Sequence, residues 1–283
     1  MKRRVRRCLV DKGKTMPETL KILYMTAELS PLVSTGGLGD VANALPKALQ
    51  AMGHDVRVVL PCYDSIPEEH LGTERCMCVA QLGPKVSYGV LRESRVPEST
   101  IPLYLVEHHE YFSRGAPYGF GAYEFEDNAE RFCFFSIGGI DGVSQLEWRP
   151  DVIHLHDWHT AVVPAYLQTR PLRDPSWKHI PTLFTIHNLN YQGRYPASRL
   201  PQTGLGSELF TPDCLEFYGD INLMKAGIAF ATKISTVSPR YAKEIQTSEY
   251  GAGLEGFLST RTKDLVGILN GVDYSVWHPA TDP

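Results

Sequence analysis

Short apolar runs alternate along this chain with segments in which apolar residues recur every three or four positions. The short runs predict buried strands of a parallel sheet, and the periodic segments predict amphipathic helices. Residues 21–26 form the first predicted strand, residues 40–52 a helix that ends at Gly53, and residues 55–60 the second strand. This succession predicts a βαβ unit at the start of the ordered chain.

The middle of the chain departs from this alternation. Residues 76–106 contain three strand-like segments separated by turns rich in proline, glycine and serine. They predict a β-hairpin inserted in the sheet or added to it. An aromatic loop is expected over residues 111–125 and a helix over residues 128–146.

The alternation resumes in the second half of the chain. The predicted elements there are strands at residues 151–155, 181–186 and 233–237, and helices at residues 157–169, 222–232 and 239–246. Residues 187–219 are expected to form a long loop, and a structureless loop of that length is usually functional. The whole pattern predicts an α/β fold with an open, mostly parallel, Rossmann-like sheet, helices on both faces and an inserted β-hairpin. Ligands of such sheets bind beyond the carboxyl ends of the strands.

Composition restricts the class of protein. The chain has 283 residues, 43% of them hydrophobic, and a net charge of −4. These values are typical of a globular protein and exclude collagen, coiled coil and general disorder. No apolar stretch approaches the roughly 18 residues that a membrane-spanning helix needs. Six cysteines without a C-x-x-C pair, and no signal peptide, favour a soluble protein of the reducing cytoplasm that does not bind membranes.

The first fifteen residues are strongly basic, with seven lysines or arginines and one aspartate. Asp11 interrupts the apolar run that a signal peptide needs. A nucleic-acid-binding arm is not supported, because the rest of the chain is acidic and offers no continuing basic surface. Residues 1–20 are therefore expected to be a disordered basic tail, unless Met16 is the true start of the protein.

A glycine-rich loop lies between the first strand and the first helix. Gly36, Gly37 and Gly39 would let the backbone approach a ligand, and the free N–H groups of a helix N-terminus favour anions. This suits a phosphate or a sugar phosphate. The pattern is neither G-x-G-x-x-G nor a P-loop, so dinucleotide binding and nucleotide hydrolysis are not supported. A tight turn without a ligand is the alternative.

Histidines and an aspartate end the strand at residues 151–155. His154 and His156 would point to the same face of the sheet, and Asp157 follows them directly. Imidazole and carboxylate groups are common zinc ligands. The remaining ligands of a metal site are not evident in the sequence, so no metal is expected. Asp157 alone could serve as a helix N-cap.

Two further polar segments follow predicted strands. His187 and Asn188 come just after the strand at residues 181–186, in a cluster that suits hydrogen bonding to sugar hydroxyls. The alternative for His187 is capping of neighbouring backbone groups. Residues 269–273 predict a turn, with Asn270 in a strained or exposed conformation.

These segments together resemble the bacterial glycogen synthase and starch synthase family. The matching segments, in the family's order, are residues 28–40, 154–159, 185–188 with 191–193, 223–227, 236–239 and 269–273. The resemblance extends from about Lys21 to the end of the chain.

The resemblance implies the N-terminal half of a two-domain GT-B glycosyltransferase. Members transfer glucose from ADP-glucose, or in some cases UDP-glucose, to the non-reducing end of an α-1,4-glucan with retention at the anomeric carbon. The transfer needs no metal and no cofactor besides the donor substrate. The resemblance implies that the catalytic residues are Asp157, His187 and Asn188, and that the substrate-binding residues are Ser34, Thr35, Gly36, Gly37, Asp40, Tyr118 and Asn270. No covalent nucleophile is evident, so positioning and charge stabilisation are expected to provide most of the catalysis.

Two features depart from the family pattern. Ser34 stands where the family loop has a lysine near the donor phosphates. The absence of that lysine charge is expected to weaken the interaction with the phosphates by ~1–4 kcal/mol. The sequence also stops at Pro283, where family members continue into a C-terminal nucleotide-binding domain. Residues 21–283 are therefore expected to form the N-terminal catalytic domain alone. Activity is expected to need a separate C-terminal half or a second copy of the chain.

Other functions stay open on the sequence. The first alternative is a non-catalytic glucan-binding or regulatory relative of the synthase, which Ser34 and the missing half favour. The preserved Asp157, His187, Asn188 and Asn270 favour the enzyme. A zinc hydrolase is a second and weaker alternative, which elemental analysis of the protein would test.

Overall fold

The computed structural model describes residues 19–121 and 123–271. The expected tail, apart from residues 19 and 20, lies outside the described residues, as does the last part of the expected turn at residues 269–273. No helix among the described residues is long and apolar enough to cross a membrane. The cysteines within the described ranges are all free thiols.

The fold contains strands in three sheets. The strands are β1 (Lys21–Met25), β2 (Asp55–Pro61), β3 (Thr73–Leu82), β4 (Lys85–Arg95), β5 (Pro102–Glu107), β6 (Gly119–Phe120), β7 (Tyr123–Glu124), β8 (Val152–His156), β9 (Thr182–Ile186), β10 (Arg194–Pro196), β11 (Glu216–Phe217), β12 (Asp220–Asn222), β13 (Lys233–Thr236) and β14 (Leu265–Gly267). The helices are α1 (Gly37–Ala51), α2 (His109–Phe112), α3 (Asn128–Val143), α4 (Val163–Thr169), α5 (Leu223–Phe230), α6 (Pro239–Glu244) and α7 (Glu255–Thr260).

The central sheet has nine strands in the order β14-β13-β9-β8-β1-β2-β5-β4-β3. Every pair from β14 to β5 is parallel. The pairs β5–β4 and β4–β3 are antiparallel. The predicted open, mostly parallel α/β sheet is therefore confirmed, and the predicted hairpin is added at one edge of the sheet.

Both faces of the sheet are covered, as its apolar runs require. Met25 and Val59 face α3, because a Cβ atom placed on Gly139 of that helix would lie 3.1 Å from Met25 and 3.2 Å from Val59. Side chains alternate between faces along a strand, so Tyr24 and Val58 point to the opposite face. These two residues are also fully buried. The continuous apolar runs therefore belong to strands buried on both faces.

The chain that follows β8 differs from its prediction. One helix is expected over residues 157–169, but the structure has a short 3-10 helix, Trp158–Thr160, followed by α4. Asp157 has a φ of +55°, a left-handed conformation that a right-handed helix cannot include. The backbone therefore turns sharply at the end of β8 before any helix begins.

The expected loop at residues 187–219 is not structureless, so that prediction is wrong. It contains β10, the 3-10 helices Ala197–Thr203 and Ser207–Leu209, and β11. β10 and β11 pair with β12 in a small antiparallel sheet. Strands this short have too few residues to show the alternation that predicts a strand. The helix α7 and the edge strand β14 are also absent from the prediction.

Candidate functional site

Polar residues meet where three neighbouring strands end. β9, β8 and β1 are adjacent in the sheet and parallel. Their carboxyl ends therefore lie at one edge, and the chain leaving them contains His187, Asp157 and Glu28 respectively. The sequence predicts the first two as site residues, and Glu28 only as part of a motif.

Asp157 is held at the end of β8 by β9. Its backbone N–H donates to the carbonyl of Thr185 at 3.0 Å, and its Oδ1 accepts from the backbone N–H of His187 at 2.8 Å. Asp157 occupies the N-cap position of the following 3-10 helix, as the alternative expected, but its side chain makes no capping hydrogen bond there. Burial raises the pKa of Asp157 to about 7, although the backbone N–H groups of His187 and Asn188 lower it. A non-glycine residue at positive φ in a cleft is typical of a functional site.

His187 is fixed through its side chain as well as its backbone. Its Nε2 lies 2.9 Å from Nδ1 of His156, the last residue of β8. Burial lowers the pKa of His187 to about 4, and burial together with the neighbouring His154 and His187 holds the pKa of His156 well below its usual value. Both rings are therefore neutral near pH 7. We call His156, Asp157 and His187 the strand-end cluster.

Glu28 joins two loops beside this cluster. Its carboxylate accepts hydrogen bonds from the backbone N–H of Thr35 at 2.8 Å, the Thr35 hydroxyl at 2.7 Å and the Tyr118 hydroxyl at 2.7 Å. Glu28 is only 4% exposed. We call Glu28, Thr35 and Tyr118 the loop clasp. It ties the glycine-rich loop to the aromatic loop.

A buried arginine positions the aromatic loop for this contact. Arg131 on α3 donates from Nε to the carbonyl of Tyr111 at 2.6 Å and from one terminal nitrogen to the carbonyl of Pro117 at 3.1 Å. Pro117 precedes Tyr118 directly, so the helix fixes the backbone from which the Tyr118 ring projects. Burial lowers the pKa of Arg131, but its side chain stays a strong hydrogen-bond donor.

The loop clasp and the strand-end cluster are in electrostatic contact. The Tyr118 ring stacks on His159, with ring centroids 4.9 Å apart, and His159 follows Asp157 by two residues. The charge on Glu28 adds to the burial that raises the pKa of Asp157. The structure therefore brings Thr35, Tyr118, Asp157 and His187 into one site, together with Glu28.

The glycine-rich loop presents an open helix N-terminus. Gly36 is the N-cap of α1, and nothing lies within 4 Å of a Cβ atom placed on Gly36 or Gly37. Ser34 is exposed, and its hydroxyl donates to the Gly36 carbonyl at 3.2 Å. Asp40 is exposed in the first turn of α1. These residues leave room for a ligand beside the backbone.

The two predicted asparagines lie at the margins of the site. Asn188 is exposed, and its Oδ1 accepts from the backbone N–H of Asn190 at 3.0 Å. Asn270 is also exposed, and its backbone N–H donates to the carbonyl of Val237, just beyond β13. No hydrogen bond within the described residues joins Asn270 to the strand-end cluster or to the loop clasp. The structure therefore joins Asp157 to His187 by a hydrogen bond, whereas Asn270 contacts the chain just beyond β13.

A cavity of about 380 Å³ opens beside the cluster. Its aromatic lining consists of Trp158, Tyr191, Tyr195 and Phe217. Its polar lining includes Glu124, Asn190, Gln192 and Arg194. Gly193 forms part of the wall at a φ of +61°, and a Cβ atom there would lie 2.5 Å from the Trp158 ring. Trp158 is the residue after Asp157, so the cavity is connected to the strand-end cluster through this one neighbour, whereas none of the three cluster residues lines it.

Sequence reasoning found the roles of several site residues only in part. Glu28 appears only within the motif of residues 28–40, His156 only as one of two histidines on a strand, and Phe217 not at all, because their roles depend on which segments meet in space. The described residues contain no group of three or more His, Cys, Asp or Glu side chains arranged to hold a metal ion.

Comparison with known proteins identifies the family of this chain. Residues 21–260 match the family model described as the starch synthase catalytic domain. A glycogen synthase of Geotalea uraniireducens is 46% identical over 265 residues, which are 93% of this chain and 54% of that protein. A glycogen synthase of Moorella thermoacetica is 43% identical over 268 residues, covering 94% of this chain and 53% of its own length.

A solved structure gives the same result. The catalytic domain of starch synthase IV from Arabidopsis thaliana, bound to ADP and acarbose, is similar with a TM-score of 0.82 and 34% identity. The match covers 94% of this chain and 54% of that one. The chain thus spans about half the length of the relatives it matches. It belongs to the glycogen synthase and starch synthase family of glycosyltransferases, within the part that forms the starch synthase catalytic domain.

Proposed function

We propose that this chain is the acceptor-side domain of a glucan synthase. It binds the non-reducing end of an α-1,4-glucan beside the strand-end cluster, and glucose is transferred there from ADP-glucose with retention at the anomeric carbon. The observation on which this rests is the cavity that adjoins Asp157 through Trp158.

The chemistry of the cavity suits a glucan. Aromatic rings such as those of Tyr191 and Trp158 pack against the apolar faces of sugar rings, while amide and charged groups bind the hydroxyls. Its volume of about 380 Å³ lies within the usual range of small-molecule sites. The relative that binds acarbose and ADP supports both classes of substrate.

The donor is assigned to the open N-terminus of α1. Unpaired N–H groups and the helix dipole favour the diphosphate there, and a side chain on Gly36 or Gly37 would block its approach. In this proposal Ser34, Thr35 and Asp40 border the donor, and Asn270 borders it from the far side of the edge. ADP-glucose rather than UDP-glucose is proposed on the family resemblance, with no metal and no further cofactor.

The catalytic residues act by position and charge. Asp157, whose pKa burial raises to about 7, lies where it can respond to charge that develops at the anomeric carbon. The neutral imidazole of His187 and the exposed amide of Asn188 offer hydrogen bonds to the glucose being transferred. Asp157 and His187 hold each other through a 2.8 Å hydrogen bond, so their arrangement exists before substrate arrives.

Completion of the cleft is proposed to come from a C-terminal GT-B half, on the same or another chain, or from a second copy of this chain. We also propose that the protein works in the cytoplasm, where sugar nucleotides are made. A transferase cleft closed between two domains excludes water and aligns donor with acceptor. A polypeptide of residues 1–283 alone is therefore expected to transfer no measurable glucose to glycogen.

Glucan binding tests the acceptor assignment directly. Calorimetric titration of the polypeptide with maltoheptaose should show binding that Tyr191→Ala weakens about tenfold, the loss expected for one stacked ring. Tyr88→Ala is the matched control, because Tyr88 is 60% exposed on β4 and does not line the cavity, while Tyr191 is 63% exposed. Equal affinities of the two variants would refute the acceptor site.

A transfer assay then separates the enzyme from a non-catalytic relative. Ser34 in place of the family lysine is the observation that favours a purely glucan-binding or regulatory protein. Labelled ADP-glucose is supplied to the polypeptide together with the C-terminal half of the Geotalea glycogen synthase. Incorporation into glycogen supports the enzyme. Glucan binding without incorporation, in both the wild type and Ser34→Lys, supports the binding protein.

A further inference from the structure

A row of buried polar side chains lies beneath His187 on one face of the sheet. His154 and His156 lie on β8, Thr185 on β9 and Ser235 on β13. His154 Nε2 is 2.7 Å from the Thr185 hydroxyl, which is 2.7 Å from the Ser235 hydroxyl. All are at least nine-tenths buried. Polar groups are costly in such a place unless they have a function or full hydrogen bonding.

His156 differs from the other members of this row. Its Nδ1 bonds to His187, but its Nε2 is buried without any partner among the described residues. Its ring is held between those of Tyr24 and His154, each with a centroid 4.1 Å away. The backbone of His156 pairs with Thr185 in the sheet. The ring is therefore fixed, and its single hydrogen bond points to the site.

One proton lies between the two imidazoles, because burial keeps both of them neutral. If His187 donated it, the proton of His156 would be on Nε2, as a buried N–H group without an acceptor. If His156 donates the shared proton from Nδ1, its Nε2 carries only a lone pair that accepts no hydrogen bond. Buried N–H groups without acceptors are rarer in proteins than unused acceptors. The second arrangement is therefore favoured.

We propose that His156 is a positioning residue for His187, fixing both its ring orientation and its tautomer. The Nδ1–H of His156 donates to Nε2 of His187, so the proton of His187 resides on Nδ1. That nitrogen has no partner among the described residues, and its ring is half-buried at the cleft. His187 thus presents an N–H donor to the transferred sugar. This last step rests on the function proposed above, whereas the tautomer does not.

The tautomer of His187 is measured by long-range ¹H–¹⁵N correlation spectra of the polypeptide labelled at histidine, with His187→Gln identifying its signals. The proposal expects the Nδ1–H form near pH 7 without any ligand. A predominant Nε2–H form in the wild type would overturn it. Because no glucan is present, this measurement stands even if the proposed function fails.

Two substitutions at His156 test the cause. His156→Phe keeps a ring against Tyr24 but removes the donor, so His187 is expected to become a mixture of tautomers. His156→Asn keeps an N–H donor near the position of Nδ1 and is expected to preserve the Nδ1–H form. His154→Phe is the control, since His154 bonds to Thr185 and not to His187. An unchanged tautomer in folded His156→Phe contradicts the proposal. If that variant does not fold, loss of the Nδ1–H form in His156→Asn contradicts it.

Kinetics give an independent reading once an active mixture with a C-terminal half is available. His156→Phe is expected to lower kcat about tenfold with a small change in KM for glycogen, because the donor is misplaced rather than the acceptor lost. His156→Asn should recover most of kcat. An equal loss of kcat in His156→Asn and His156→Phe would show that the hydrogen bond does not matter.

Discussion

The loop clasp and the strand-end cluster each contain a buried carboxylate, but the two carboxylates have different surroundings. Glu28 accepts three hydrogen bonds from Thr35 and Tyr118, which belong to two different loops. Asp157 accepts its hydrogen bonds from the backbone that follows β9, and burial raises its pKa to about 7. Glu28 joins two loops, whereas Asp157 is attached to the backbone at the edge of the sheet.

This difference indicates that the two carboxylates have different roles. Hydrogen bonds from two loops to one carboxylate are suited to closing a structure, because each donor fixes its own loop. A carboxylate whose pKa lies near neutrality is suited to chemistry, since small changes of charge nearby alter its protonation. The clasp should therefore matter most for stability, and the cluster for pH dependence and catalysis.

Loss of the clasp is expected to have the largest effect. Glu28→Ala leaves the Thr35 N–H, the Thr35 hydroxyl and the Tyr118 hydroxyl without their acceptor, and should lower the free energy of unfolding by about 4 kcal/mol. Urea denaturation measures this value. Thr35→Val removes only one of the three hydrogen bonds and should cost about 1 kcal/mol. Equal losses in the two variants would mean that Glu28 does not join the loops.

The carboxylate of the cluster should affect stability through pH. The pKa of Asp157 is raised in the folded state, so the folded protein holds a proton that the unfolded chain releases above about pH 4. Stability is thus lost as the pH rises from about 4 to 7. Asp157→Asn removes this loss, and the free energy of unfolding of the variant relative to the wild type should rise by roughly 3 kcal/mol over that range.

Denaturation curves at several pH values test this expectation, with Asp213→Asn as the control. Asp213 is exposed, so its substitution should leave the pH dependence unchanged. Asparagine is a suitable replacement at position 157, because it tolerates positive φ and retains an oxygen for the His187 N–H. A constant difference between Asp157→Asn and wild type from pH 4 to 7 would contradict the raised pKa.

His156 of the cluster should make the free energy of unfolding depend on pH with the opposite sign. Burial lowers the pKa of His156, so below about pH 6.5 the unfolded chain takes up a proton that the folded protein does not. Stability is lost as the pH falls. His156→Phe should make this acid loss shallower by about 1 kcal/mol per pH unit between pH 6.5 and 5. Thermal or urea unfolding between pH 5 and 6.5 measures the slope, and the exposed His179→Phe should leave it unchanged.

The exposed loop beside the clasp should give the smallest effect. Ser34→Lys adds a charge at an exposed position and should change the free energy of unfolding by less than about 0.5 kcal/mol. In the mixture with a C-terminal half it should tighten ADP-glucose binding about fivefold, which corresponds to ~1 kcal/mol. Met52→Lys adds the same charge at the other end of α1 and should not change binding. A similar gain in both variants would indicate a general charge effect.

The sequence predicts the parallel part of the fold well, because its strands are buried on both faces and appear as apolar runs. Residues 21–26 and 181–186 differ from the observed β1 and β9 by only a residue at one end. The break after Asp157 could not be predicted, since a positive φ at an aspartate leaves no pattern in neighbouring residues. β10, β11 and β12 are too short to show the alternation of apolar and polar residues that predicts a strand.

The site shows the same limit. Asp157 and His187 follow predicted strands, and the structure joins them by a hydrogen bond. Glu28 and Tyr118 are far apart in sequence, and only the folded loops bring them within 2.7 Å. His156 appears beforehand as one of two equivalent histidines on a strand. Its bond to His187 depends on the register between β8 and β9, which the sequence does not specify.

The wall of the cavity at Gly193 limits how the proposed glucan site could be changed by design. That wall is main chain rather than side chain, since Gly193 packs directly against Trp158. Because Gly193 has no side chain to shorten, a substitution cannot enlarge the cavity at this position. Any larger residue there would displace Trp158 and with it the neighbouring Asp157. In the proposed glucan site, variation in the length or branching of the bound glucan would instead have to arise at Tyr191 and Phe217, where a side chain can be shortened without moving the backbone at Asp157.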